Sequence, residues 1–241
     1  SPYRYVGVNF NSQGNPNLKP SDNYNLDLKW DFNPTPTELI SLTAFYKLIK
    51  NPISRIEVAS AGGYLSYENI ADKATVAGVE IEIRKNLFVR PVSNAAHGMN
   101  KLSLGLNGSY IYTNAKMPLA TVTTGSQLEG AAPWIVNFDL SHNFTKGERS
   151  FVNTLVLNYV SDKIYTIGTQ GYQDIMEQGV LTLDFVSQAK LNKHLSLNLK
   201  ARNLLNPSYK LSRKANENGE KVILNDYKKG INISLGVSCT F

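Results

Sequence analysis

A single cysteine, Cys239, stands in a chain of 241 residues, so no internal disulfide forms and cysteine usage does not fix the compartment. Charge is scarce at 18% of residues, with 25 Lys+Arg against 19 Asp+Glu. The sequence pI is near 9.2, yet nothing resembles a nucleic-acid module, and nucleic acid is not an expected partner. Histidine is rarer still: His97, His142 and His194 lie far apart with no metal-site spacing, so neither a metal nor a cofactor is expected. Long apolar runs are absent, and the mean hydropathy is -0.25. That excludes transmembrane helices, which need about 18 consecutive apolar residues. It does not exclude a membrane β-barrel, whose alternating strands give no hydropathy peak. Ser1 opens the chain without a charged-then-apolar leader, so any signal peptide is expected to be removed or to lie upstream. What is plentiful is Asn (26), Gly (17), Tyr (13) and Phe (9), a composition of strands and turns that argues against an all-α fold.

Period-2 alternation organises the chain in segments of about ten residues, the length of a tilted membrane-spanning strand. The last segment is the clearest: Ile231, Ile233, Leu235, Val237, Cys239 and Phe241 share one face, and Asn232, Ser234, Gly236, Ser238 and Thr240 the other. The same reading gives strands around Tyr24 to Phe32, Ile40 to Leu48, Val79 to Ile83, Leu102 to Tyr112, Trp134 to Leu140, Phe151 to Tyr159, Leu181 to Phe185 and Leu195 to Ala201. About nine strands result, each with one polar face.

Their connections alternate in length. Asn33 to Thr37, Thr145 to Glu148 and Lys190 to Lys193 are short, and Asn86 to Asn100 is a somewhat longer turn. Between them lie long connections from Lys50 to Asp72, Asn114 to Pro133, Ser161 to Gly179 and Leu204 to Gly230. Short turns at one rim and long loops at the other are the asymmetry of an outer-membrane barrel; a soluble sandwich has no reason to sort its loops so. Two long loops read as hairpins: Ile53 to Ser60 with Tyr64 to Ile70 around Gly62-Gly63, and Leu211 to Ala215 with Lys221 to Leu224 around Asn218-Gly219.

If the last strand runs toward the short turns, outward Tyr24, Tyr46, Tyr110, Tyr112, Trp134 and Tyr159 fall near the long-loop rim. Trp30, Phe32, Phe151 and Phe241 fall near the other. Two aromatic belts at the lipid headgroups are the expected arrangement. An odd strand count is awkward, because single-chain bacterial barrels have even counts and lipid tolerates no open edge. The chain is therefore expected to be all-β, the C-terminal part of a larger antiparallel transmembrane barrel whose remaining strands lie upstream or in a companion chain.

Asn15-Pro16-Asn17-Leu18-Lys19-Pro20; Ala44-Phe45-Tyr46-Lys47 through Asn51-Pro52-Ile53; and Tyr67-Glu68-Asn69-Ile70-Ala71-Asp72-Lys73-Ala74 leading to Gly78-Val79-Glu80-Ile81-Glu82 resemble stretches of the C-terminal barrel of TonB-dependent outer-membrane receptors. Arg202-Asn203-Leu204-Leu205-Asn206, and Tyr227-Lys228-Lys229-Gly230 running into the last strand, complete the set, whose style is most similar to receptors of the Bacteroidota. The resemblance implies a barrel of about 22 strands, plugged by an N-terminal domain, that imports a scarce nutrient with energy delivered by TonB, ExbB and ExbD. Neither the plug domain nor a TonB-contacting box is found in residues 1–241. A ferric siderophore, cobalamin, an oligosaccharide or a peptide all fit that class. A passive porin and an extracellular β-rich adhesin are the alternative readings.

Charges on the polar face, among them Asp27, Lys29, Asp31, Glu80, Glu82, Arg84, Asp139, Asp184 and Lys200, read as a solvated lumen wall or as contacts to a plug. The segment Tyr209 to Lys229 carries Lys210, Arg213, Lys214, Lys221, Lys228 and Lys229 against Glu217, Glu220 and Asp226, which reads first as a plain solvated loop and otherwise as a bias suited to an anionic ligand or to lipopolysaccharide phosphates. An enzyme is not expected: a nucleophile or activated water needs a His and a carboxylate beside it, and alternation points Asp139 and His142 to opposite faces. Phe241, a terminal aromatic on the apolar face, resembles the signal read by barrel-assembly machinery. Outer-membrane lipid, lipopolysaccharide, that machinery and the missing strands and plug are the expected partners.

Overall fold

The computed structural model describes residues 4–6, 10–58, 64–92, 98–117, 127–215 and 219–240. Every regular element among them is a strand. In chain order these are β1 (Arg4–Val6), β2 (Asn11–Gln13), β3 (Asp22–Phe32), β4 (Leu39–Lys50), β5 (Ile53–Val58), β6 (Tyr64–Asn69), β7 (Lys73–Pro91), β8 (Met99–Ala115) and β9 (Trp134–Lys146). They continue with β10 (Arg149–Val160), β11 (Lys163–Thr166), β12 (Ile175–Glu177), β13 (Val180–Lys190), β14 (Leu195–Arg202), β15 (Ser208–Lys214), β16 (Lys221–Lys228) and β17 (Asn232–Cys239).

Nine of them form one antiparallel sheet in the order β3-β4-β7-β8-β9-β10-β13-β14-β17, and these are the nine segments that alternation marks in the sequence. Pairing puts directly opposed residues on the same face. One row across seven strands reads Phe32, Ile40, Ile83, Leu106, Phe138, Leu157, Leu183, apolar throughout. The adjacent row reads Asp31, Ser41, Glu82, Asn107, Asn137, Asn158, Thr182, polar throughout. A register slip of one residue would invert every side chain, so this agreement fixes the register.

The apolar row starts at Phe32, beside the short β3–β4 turn, and ends at Leu183, close to the long-loop end of β13. It climbs about seven residues over six strand spacings, a strand tilt of about 40°, which falls within the inclination that barrel closure imposes. The sheet remains open among the described residues, with β3 and β17 at its edges.

Among the described residues the apolar face meets no second layer: Leu28 is 75% exposed and Leu235 72%. Such a broad apolar surface is incompatible with a wall bathed in water on both sides. The buried core lies elsewhere, at the long-loop rim, where Ile56, Ile70, Ala71, Ala74, Ala115, Leu128, Ile164 and Ile167 pack together. Ala74 and Ala115 are paired across β7 and β8 on the polar-face parity, so the rim layer leans over the polar side of the wall.

That rim layer consists of two four-stranded sheets, β1-β2-β6-β5 and β11-β12-β15-β16. A parallel bridge between Ile56 and Ile167 joins them, with Glu57 N donating to Ile167 O (3.1 Å) and Ile167 N to Arg55 O (3.0 Å). Both hairpins expected in the long loops are present as β5–β6 and β15–β16. Their tips, including Gly62-Gly63 and Asn218, lie outside the described residues.

One sequence expectation is overturned. The described residues of Asn86 to Asn100 are mostly strand, because β7 continues to Pro91 and β8 begins at Met99. A bulge between Asn86 and Phe88 shifts the register by one residue and so interrupts the alternation that marks the strand. Asn86 is pinned there, its N–H donating to Glu38 Oε1 (3.0 Å) and its Nδ2 to Thr37 Oγ1 (2.8 Å).

Candidate site at the long-loop rim

The stretches that carry the family resemblance converge in space. Asn69, ending β6, donates from Nδ2 to Lys19 O (3.1 Å) and Asn51 O (2.9 Å), and its Oδ1 accepts from Lys19 N (2.8 Å). Asn51, at φ 47°, sits in the left-handed region that Asn tolerates, and its N–H donates to Asp72 O (2.9 Å). Three separate motifs thus form one knot where β3, β4 and β7 leave the wall. Gly78 pairs with Phe45, and a Cβ at Gly78 would lie 2.4 Å from the Phe45 ring, so the glycine makes room for that side chain.

A second knot closes the last loop. Asn203 and Asn206 both have positive φ, 58° and 44°. Asn203 Nδ2 donates to Gly230 O (2.7 Å), Asn206 Oδ1 accepts from Gly230 N (3.1 Å), and Asp184 caps Asn203 N (2.8 Å). These motif residues have structural work to do, and Lys19, Asn51, Asn69 and Asp72 of the first knot also line a cavity of about 330 Å³.

The four long connections are fastened to one another through β5. The Arg55 guanidinium pairs with Glu129 at 3.1 Å, donates from Nε to Tyr165 O at 3.0 Å and lies 3.8 Å from the Tyr165 ring centroid. Glu57, two residues on, pairs with Arg213 of β15. Both pairs are about four-fifths buried, unlike the exposed pair Lys29–Asp31 (3.2 Å) and the half-exposed pair Glu82–Arg84 (2.7 Å) on the polar wall.

Between β11, β12, β15 and β16 opens a cleft of about 470 Å³ lined by Tyr165, Glu177, Tyr209, Lys210, Asn225 and Tyr227, with buried Leu211 at its base. Cross-strand pairing sets Tyr209 beside Tyr227, their rings 5.5 Å apart and 21° from parallel. Lys229 Nζ lies 3.8 Å from the Tyr209 centroid. Lys210 pairs with Asp226 (3.6 Å) and Lys163 with Glu177 (3.3 Å). A smaller cavity of about 150 Å³ shares Glu177 and Tyr209 with the cleft and is lined below by Asn158 and Thr182 of the polar wall. The cleft therefore adjoins the polar face.

The basic excess of the Tyr209 to Lys229 segment is partly cancelled, since Lys210 and Arg213 each hold a carboxylate. Tyr24, Tyr46, Tyr110, Tyr112, Trp134, Tyr159, Trp30 and Phe32 are all exposed. Trp30 stacks on Phe32 (6.1 Å), and Tyr110 meets Trp134 (4.6 Å). His142 bonds Asn100 Oδ1 (2.8 Å) and His194 bonds Thr240 O (2.7 Å) near the short turns. Asp139 occupies space left by Gly105 on the opposite face from His142. His97 and Phe241 lie outside the described residues. The cleft itself is not apparent in the sequence, because a bulge after Leu211 shifts the β15–β16 register and only then brings Tyr209 opposite Tyr227.

A family model described as TonB dependent receptor-like, beta-barrel matches residues 1–204. Searches of curated proteins and of solved structures return no match. The matched span contains eight of the nine wall strands, and β17 continues the same sheet by pairing with β14. By that match and by its wall, the chain belongs to the TonB-dependent receptor-like β-barrel family, whose members carry out TonB-dependent transport across the bacterial outer membrane.

Proposed function

We propose that residues 1–241 are the C-terminal portion of an outer-membrane receptor, of the Bacteroidota type, that takes up a scarce nutrient: a siderophore, cobalamin, an oligosaccharide or a peptide. The observation that carries this is the wall itself, tilted, apolar across one face, polar across the other and open at β3 and β17. Lipid demands that backbone groups on those edges be paired. Further strands complete the barrel, about 22 in all, and a plug outside this chain fills it and contacts TonB, energised by ExbB and ExbD.

The exposed tyrosines and tryptophans form the headgroup belts beside lipid and lipopolysaccharide. Phe241, an aromatic that follows β17 in the sequence, serves as the signal that barrel-assembly machinery reads; its removal is expected to lower the amount of receptor inserted, read by surface labelling, and unchanged surface levels would refute that role. An adhesin fits poorly, since its apolar faces would meet one another. A porin differs in energy dependence. Nutrient-limited growth is expected to fail on deletion of either this gene or tonB and to return on complementation. Uptake that persists after collapse of the proton-motive force would overturn the receptor reading in favour of a passive channel.

A further inference from the structure

The rim cleft is neither oily nor strongly charged. Glu177 and Lys210 line it, and each is matched by a partner of opposite sign, Lys163 at 3.3 Å and Asp226 at 3.6 Å. Paired charges project little field for gathering an anion. They nonetheless keep hydrogen-bonding capacity: a carboxylate accepts at about four positions and an ammonium donates three times, so one salt-bridge contact leaves most of each free. Asn225 adds a donor and an acceptor to the same lining. A surface that alternately donates and accepts matches adjacent hydroxyl groups, each of which does both.

The aromatic part of the lining complements this. Tyr227 is 48% exposed, and its ring runs nearly parallel to that of Tyr209. A ring ordered before binding loses little freedom on contact with a ligand, and its face suits the C–H side of a sugar ring. At about 470 Å³ the cleft lies within the size range of small-ligand sites. The adjoining cavity shares Glu177 and Tyr209 with the cleft, and its Asn158 and Thr182 add further amide and hydroxyl partners beside it.

We infer that the cleft bounded by Tyr165, Tyr209 and Tyr227 binds a short, uncharged oligosaccharide, stacked on Tyr227 and hydrogen-bonded by Asn225, Glu177 and Lys210. The inference deepens the nutrient-uptake reading and rests on it for the direction of ligand movement.

Outer membranes from cells expressing the native receptor are titrated with labelled tetrasaccharides of α-1,4-glucan, β-1,4-xylan, β-1,4-mannan and β-1,3-glucan. A ferric tris-catecholate and inorganic phosphate are titrated in parallel. At least one tetrasaccharide is expected to bind with Kd below about 1 mM. Tyr227→Ala is expected to weaken it about tenfold, and Tyr227→Phe, which keeps the ring, by less than about twofold. Should Tyr227→Ala fail to reach the surface, Asn225→Ala serves, with an expected loss of about fivefold. Absence of saccharide binding, saccharide binding indifferent to these changes, or Tyr227-dependent binding of the catecholate or phosphate instead would overturn the inference. A saccharide that binds through Tyr227 but is not accumulated by energised cells would refute uptake and leave the cleft assignment standing. TonB-dependent uptake of another nutrient without saccharide binding would do the reverse.

Discussion

Leu235→Arg is expected to reduce the receptor recovered in the outer membrane by at least tenfold. Leu235 lies mid-strand in β17, on the apolar face, and is 72% exposed. In water such an exposed substitution changes stability by about 0.5 kcal/mol or less. At the midplane of a bilayer the same arginine costs about 2–4 kcal/mol. Ser234→Arg, one residue earlier, turns its charge toward the polar face and is expected to insert normally. Quantitative immunoblots of outer-membrane fractions separate the two outcomes, and equal recovery of both variants would contradict a lipid-facing assignment.

Arg55→Ala is expected to loosen the rim without affecting insertion. Its guanidinium holds Glu129, the Tyr165 carbonyl and the Tyr165 ring together. Removing it leaves a mostly buried carboxylate without its cation, at a cost of about 3 kcal/mol. Rim opening then rises by about a hundredfold, measured as protease nicking within residues 163–177 on intact cells. Arg55→Lys keeps the charge but not the planar fork, and an intermediate rate is expected. The wall offers the contrast: Lys29 and Asp31 form an exposed, solvent-screened pair, and breaking it is expected to leave stability unchanged.

How far the sequence reveals this structure depends on how local the determining physics is. All nine wall strands are legible because each is long enough for alternation to repeat and because one face must be apolar along its whole length. The continuation of β7 past Asn86 is hidden by a single bulged residue. Strands β11 and β12 have four and three residues, too short for any period to show, and pair across a loop. The parallel pairing of β2 with β6 joins Asn11 to Tyr64, a contact no local pattern announces.

The site follows the same division. Tyr209 and Tyr227 are visible as residues, but their apposition depends on the bulge beside Leu211. The cleft further requires Tyr165 and Glu177 from a different loop. The abundance of asparagine, read from composition as a turn signal, is better understood at Asn51, Asn69, Asn203 and Asn206. There it supplies positive φ, side-chain bonds to distant backbone, or both.

The central claim is that one face of the nine-stranded sheet lies in lipid and the other does not. Single cysteines at Leu26, Leu28 and Leu235, and at Asp27 and Ser234, in a Cys239→Ser background, carry an environment-sensitive fluorophore in native outer membranes. A wall embedded in the bilayer predicts quenching of the first three by brominated acyl chains and of the last two by aqueous iodide, alternating residue by residue along β3. Equal iodide quenching at all five positions would contradict it.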